Sequence, residues 1–85
     1  MTLLYIEDDF EIQGYLAKCL ERYTSNLHFA QSAEKGKELY EKIPPDIILL
    51  GINIPRKNGI DFARELRKHD FDTHMIISTA VTNVN

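Results

Sequence analysis

The sequence predicts an α/β protein built on an open parallel sheet with helices on both faces. Three observations carry this reading. Short apolar runs alternate with segments of helical period along the chain. The run Ile47-Ile48-Leu49-Leu50 holds no polar residue, as expected of a strand covered on both sides in a parallel sheet. Turn and stop residues, Thr24-Ser25-Asn26, Pro44-Pro45 and Asn58-Gly59, fall between the periods. The order β-α-β-α-β-α-β implies right-handed crossovers between neighbouring strands.

Each element has its own signal. Leu3-Leu4-Tyr5-Ile6 reads as a first buried strand, and Glu7-Asp8-Asp9 follows it directly. Asp8 or Asp9 suits the N-cap of the next helix, where negative charge is favoured. That helix is predicted from about Phe10 to Tyr23, with Ile12, Tyr15, Leu16, Cys19, Leu20 and Tyr23 as one apolar stripe. Gly14 weakens it or marks a close approach. Leu27 to Ala30 alternates as a strand, with His28 expected to face solvent. Ser32 suits the N-cap of a second helix running to about Lys42, with Ala33, Gly36, Leu39, Tyr40 and Ile43 inward. Pro44-Pro45 stops it. After the central strand, a third helix is expected from about Ile60 to His69, packing through Ile60, Phe62, Ala63 and Leu66. His74 to Thr79 is the fourth strand, and Ala80 to Asn85 is a short polar tail.

Composition narrows the function classes. The 85 residues make one domain, expected over residues 1–85, with an ordinary apolar fraction of 44%. The net charge of −3 lacks the basic footprint of a nucleic-acid binder. The single cysteine, Cys19, forms no internal disulfide and is expected to be buried, which fits a reduced, cytoplasmic protein. The N-terminus has no basic region before its acidic residues, so no signal peptide is expected. No apolar run approaches the length needed to span a membrane.

In a parallel sheet the carboxyl ends of the strands lie on one edge, where such sheets bind ligands. The first strand brings Glu7 and Asp8 to that edge. The third brings Gly51, with the backbone of Asn53 beyond it. The fourth brings Ser78 and Thr79. Two carboxylates and a carbonyl are hard oxygen donors suited to Mg²⁺. A metal-dependent phosphohydrolase would also place acidic residues at a strand end, but it too requires an aspartate nucleophile there.

Taken together, Tyr5-Ile6-Glu7-Asp8-Asp9, Pro45-Asp46 through Pro55 with Asn58-Gly59, and Ile76-Ile77-Ser78-Thr79-Ala80 resemble the receiver domain of bacterial two-component response regulators. The resemblance covers essentially the whole chain. It implies a flavodoxin-like receiver fold and a place in phosphorelay signalling rather than an enzyme activity, with a sensor histidine kinase as partner. It implies Glu7 and Asp8 as metal ligands, the backbone carbonyl of Asn53 as a third, and Thr79 as the switch hydroxyl. In that family an aspartate ends the third strand and accepts the phosphoryl group. Its place here is taken by Gly51. The family also continues into a helix, a fifth strand carrying a lysine and a last helix, which these residues lack.

Two expectations follow from these departures. With no carboxylate at residue 51 there is no nucleophile to form an acyl phosphate, and Mg²⁺ should bind weakly or not at all. With no fifth strand the fourth becomes a sheet edge, which invites self-association as a homodimer through that edge.

Overall fold

A computed structural model of the chain describes residues 1–51 and 59–78. Four strands, β1 (Thr2–Ile6), β2 (Asn26–Ala30), β3 (Ile47–Gly51) and β4 (His74–Ser78), form one sheet in the order β2-β1-β3-β4. All the pairings are parallel. Three helices, α1 (Phe10–Leu20), α2 (Ala33–Lys42) and α3 (Gly59–Arg67), connect them. The predicted open parallel α/β sheet is therefore observed, and no described helix is long and apolar enough to cross a membrane.

The helix starts follow from local chemistry. Asp9, rather than Asp8, caps α1, its Oδ1 accepting from the N–H groups of Glu11 at 2.9 Å and Ile12 at 3.1 Å. Ser32 Oγ accepts from Lys35 N–H at 3.2 Å and caps α2. Such caps contribute about 1 kcal/mol each by satisfying otherwise orphaned donors. At the opposite edge Asp46 ties three strands together. Its carboxylate accepts from Thr2 N–H at 2.8 Å, its N–H donates to the Thr2 carbonyl at 2.8 Å, and its carbonyl accepts from His74 N–H at 3.2 Å.

The core lies on one side of the sheet. Leu4 and Ile6 of β1, Ala30 of β2, and Ile48 and Leu50 of β3 pack there against Ala33 of α2 and Phe62 and Leu66 of α3. Strand alternation sends Leu3, Tyr5 and Leu49 to the other side. That side is less sealed, since Ile47 and Leu49 are only half-buried, short of the two-sided burial that the uninterrupted apolar run predicts.

Helix α1 is itself only partly covered. It stops at Leu20, short of the expected Tyr23, and Glu21 to Tyr23 form a turn in which Tyr23 N–H donates to the Leu20 carbonyl at 2.8 Å. No residue of α1 is fully buried. Ile12, Leu16 and Leu20, each about a turn apart, are half-buried. The adjoining stripe of Tyr15, Cys19 and Tyr23 is exposed, so the expected burial of Cys19 is corrected. Helical period alone cannot tell a covered stripe from a bare one beside it. Gly14 has nothing within 4 Å of where its β-carbon would stand, so it marks no close approach.

Ile43 and Ile60 are also exposed rather than inward, because Ile43 lies past the end of α2 and Ile60 in the first turn of α3. His28 is half-buried rather than solvent-facing. It pairs with core-facing Leu4, which turns it to the side where α2 packs on β1 and β2. The predicted Thr79 end of the last strand and the tail lie outside the described residues.

A polar network closes the turn between α3 and β4. Asp70 accepts from the Tyr40 hydroxyl, from Thr73 Oγ1 at 2.7 Å, and from the N–H groups of Asp72 at 2.9 Å and Thr73 at 3.1 Å. Arg67 donates to the Asp70 carbonyl at 3.0 Å. The Tyr40 hydroxyl, then Thr73, hold the Asp70 carboxyl well below the usual carboxylate range. The folded chain thus binds this proton less readily than the unfolded chain. The stability that the network contributes is complete above the ordinary aspartate pKa, about 4, and is lost as pH falls further. Asp70→Asn should therefore melt below the parent at neutral pH, and the gap should narrow in thermal melts carried down from about pH 4. A gap that stays constant or widens in acid would count against the network.

Candidate functional site

The carboxyl edge of the sheet is built around the residue after β1. Glu7 is only 6% exposed despite its charge. Its backbone extends the sheet, the N–H donating to the Ala30 carbonyl at 2.9 Å, and its carbonyl accepts from Gln13 Nε2 at 3.4 Å. Its Oε2 accepts from Asp9 N–H at 3.1 Å. The three acidic residues thus divide their work. Asp9 caps α1, Asp8 remains exposed at the edge, and Glu7 turns inward.

Glu7 turns toward Gly51. Gly51 ends β3, is buried, and pairs with Ser78 of β4. A β-carbon on Gly51 would stand 2.7 Å from Glu7 Oε1, 3.3 Å from Glu7 Cδ and 3.3 Å from the Ile6 carbonyl oxygen. The first distance is shorter than real β-carbon contacts allow. The Glu7 carboxylate therefore lies over Gly51, in volume that any other residue at 51 would claim.

The electrostatics follow from this packing. Burial pushes the Glu7 carboxyl up from its usual pKa. The Asp9 N–H works against that shift, while the carboxyl of Asp8 and the charge of Asp9 add to it. Tyr5, on the same face of β1, is fully buried, and its ring lies 6.0 Å from that of Phe29. Its hydroxyl finds no hydrogen-bond partner among the described residues. Burial, then the charges of Glu7 and Asp9, push that hydroxyl up to about 12. Sequence context alone gives Tyr5 no role at the site, although strand alternation does place it on the face of Glu7.

Of the residues expected at the site, Glu7, Asp8 and Gly51 are brought together. Asn53 and Thr79 lie outside the described residues. Among the described residues no group of three or more His, Cys, Asp or Glu is arranged to hold a metal. Glu7 and Asp8 nevertheless supply what Mg²⁺ asks of a protein, one or two carboxylates with its other positions left to water. The buried inward carboxylate beside an exposed one fits that ion, with fewer ligands than three carboxylates would offer.

Fold and edge together define a class, an open α/β sheet that gathers acidic side chains where its strands end. Comparison with known proteins makes this specific. The family profile of the response regulator receiver domain matches residues 3–85, so the chain belongs to that family. It is 27% identical over 82 residues to the regulatory protein AtoC of Escherichia coli, covering 96% of this chain and 18% of AtoC. It is 35% identical over 69 residues to the transcriptional regulatory protein AfsQ1 of Streptomyces coelicolor, covering 81% of this chain and 31% of AfsQ1. It thus spans less than a third of either relative. Among solved structures, an aspartate-to-alanine mutant of the MaeR response regulator bound to sulfate superposes with a TM-score of 0.86 at 26% identity, over 95% of this chain and 68% of that one.

The chain is a receiver domain of two-component response regulators. Domains of this family are signalling modules that take phosphoryl groups from histidine kinases and generally bind Mg²⁺ at the phosphorylation site.

Proposed function

We propose that this receiver domain works in its two-component system without accepting a phosphoryl group in the usual way. The observation that carries the reading is Gly51 at the end of β3, with a buried Glu7 carboxylate lying over it. A phosphoryl group transferred to a receiver needs a carboxylate oxygen free to attack phosphorus. Glycine offers none, and Glu7 Oε2 is engaged by Asp9 N–H. In this reading Glu7 and Asp8 hold Mg²⁺ weakly, with the Asn53 carbonyl as a third ligand, and Thr79 is the switch hydroxyl. The domain is a non-enzymatic signalling unit, 1–85, that acts in the cytoplasm and meets a sensor histidine kinase, with no membrane or nucleic acid bound through these residues. A small phosphodonor with Mg²⁺ should leave the intact mass of the protein unchanged. A stable, acid-sensitive phosphoryl adduct on a carboxylate would refute the reading.

A second reading is self-association as a homodimer through β4. Ile76 is 56% and Ile77 41% exposed on that outer strand. Light scattering on a size-exclusion column should then give twice the chain mass at high concentration. A monomer throughout would dismiss it.

A further inference from the structure

The geometry points to Glu7 as the residue that supplies, from β1, the carboxylate oxygen that β3 lacks, so that Glu7 and Gly51 act as a pair in the cation site. This rests on the reading above that Glu7 and Asp8 hold a divalent cation.

Three observations support the pairing. The Glu7 carboxylate is anchored on one oxygen by Asp9 N–H at 3.1 Å, which leaves the other directed over Gly51. That second oxygen stands 2.7 Å from the position of a β-carbon on residue 51. Its orientation therefore depends on glycine, because even a methyl group would expel it. Glu7 is also almost wholly buried, an unfavourable place for a carboxylate unless a cation or a set of donors offsets the lost hydration. Among the described residues the only hydrogen-bond donor seen on that carboxylate as an ionised group is Asp9 N–H. A cation at the edge would satisfy the inward oxygen.

The pairing makes an unusual demand on Gly51. Gly51→Ala takes away no ligand atom and no charge, yet it displaces the Glu7 oxygen. Glu7→Asp retains the charge but withdraws the carboxylate by one methylene.

The experiment is a titration with Mn²⁺, followed by the electron paramagnetic resonance of the free ion, on the parent, Gly51→Ala, Glu7→Asp and the double variant. Circular dichroism reports that each is folded. Each single change should weaken Mn²⁺ binding about tenfold, the effect expected when a ligand's support is lost. The double variant should be no weaker than either, because both changes remove the same oxygen. Unchanged affinity in Gly51→Ala, or additive losses, would overturn the pairing while leaving the cation site in place. No Mn²⁺ binding by the parent would overturn the cation site and the pairing with it.

A second measurement does not depend on the metal. In metal-free protein the side-chain carboxyl ¹³C resonance of Glu7 should move in Gly51→Ala and not in Gly14→Ala, a control at an open position. A Glu7 resonance indifferent to residue 51 would refute the contact itself. Should Gly51→Ala prove too unstable for titration, Glu7→Asp alone decides, and an Mn²⁺ affinity equal to the parent's would overturn the proposal.

Discussion

Gly36→Ala is expected to destabilise the domain by about 1–2 kcal/mol, even though alanine is the better helix former. Gly36 is buried on α2 where the helix crosses Ile6. A β-carbon there would collide with Ile6 Cδ1 and stand 2.9 Å from Ile6 Cγ1. Ile6 has no surface to retreat to, being wholly buried in the cluster of Leu4, Ile48 and Leu50. Overpacking costs about 1–3 kcal/mol, here about 2–3 because two Ile6 atoms are met at once, and the gain from replacing glycine inside a helix offsets about 1 kcal/mol of it. For a domain of this size the net loss corresponds to a fall in melting midpoint of about 5–10 °C. Ile6→Val removes the closest atom. The double variant should therefore be more stable than the two single losses predict, with a coupling above about 0.5 kcal/mol. Thermal melts of the four proteins decide it. A Gly36→Ala protein as stable as the parent would mean that α2 does not sit this close to β1.

The same residues show what could be read from the sequence. Elements and order were legible because period and punctuation are local properties. Asp9 and Ser32 cap their helices with side chains two or three residues from their partners, so their roles follow from short-range chemistry. The acidic edge was legible because a charged run after a buried strand demands a reason. What was not legible depends on contacts across the sheet. Gly36 reads as an inward helix position, but only the crossing of α2 over Ile6 makes its missing side chain necessary. Cys19 and Tyr15 share the helical period of Leu16 and Leu20, and the pattern holds no record of which stripe the sheet covers. The reach of Glu7 to Gly51 joins two residues far apart in sequence, and it appears only once β1 and β3 are neighbours.

Restoring the family's aspartate with Gly51→Asp should lower stability in the absence of divalent cations and make it strongly dependent on Mg²⁺. The new side chain enters volume held by Glu7 Oε1, so Glu7 must turn away from a buried position. Three carboxylates, from residues 7, 8 and 51, would then share one edge. Repulsion and lost hydration there cost on the order of 1–2 kcal/mol, while relief from glycine's conformational freedom returns about 0.5–1 kcal/mol. A cation reverses the balance. Mg²⁺ at about a hundred times its dissociation constant would stabilise the folded state by about 2.7 kcal/mol. The parent, with one carboxylate fewer, should gain much less at the same concentration. Melting midpoints in chelator and in Mg²⁺ test both halves, and a phosphodonor added to the Gly51→Asp variant should now leave a phosphoryl adduct that the parent does not form. If neither protein responds to Mg²⁺, Glu7 and Asp8 do not form a cation site. If both respond equally, residue 51 takes no part in it, and Gly51 has to be explained by packing against Glu7 alone.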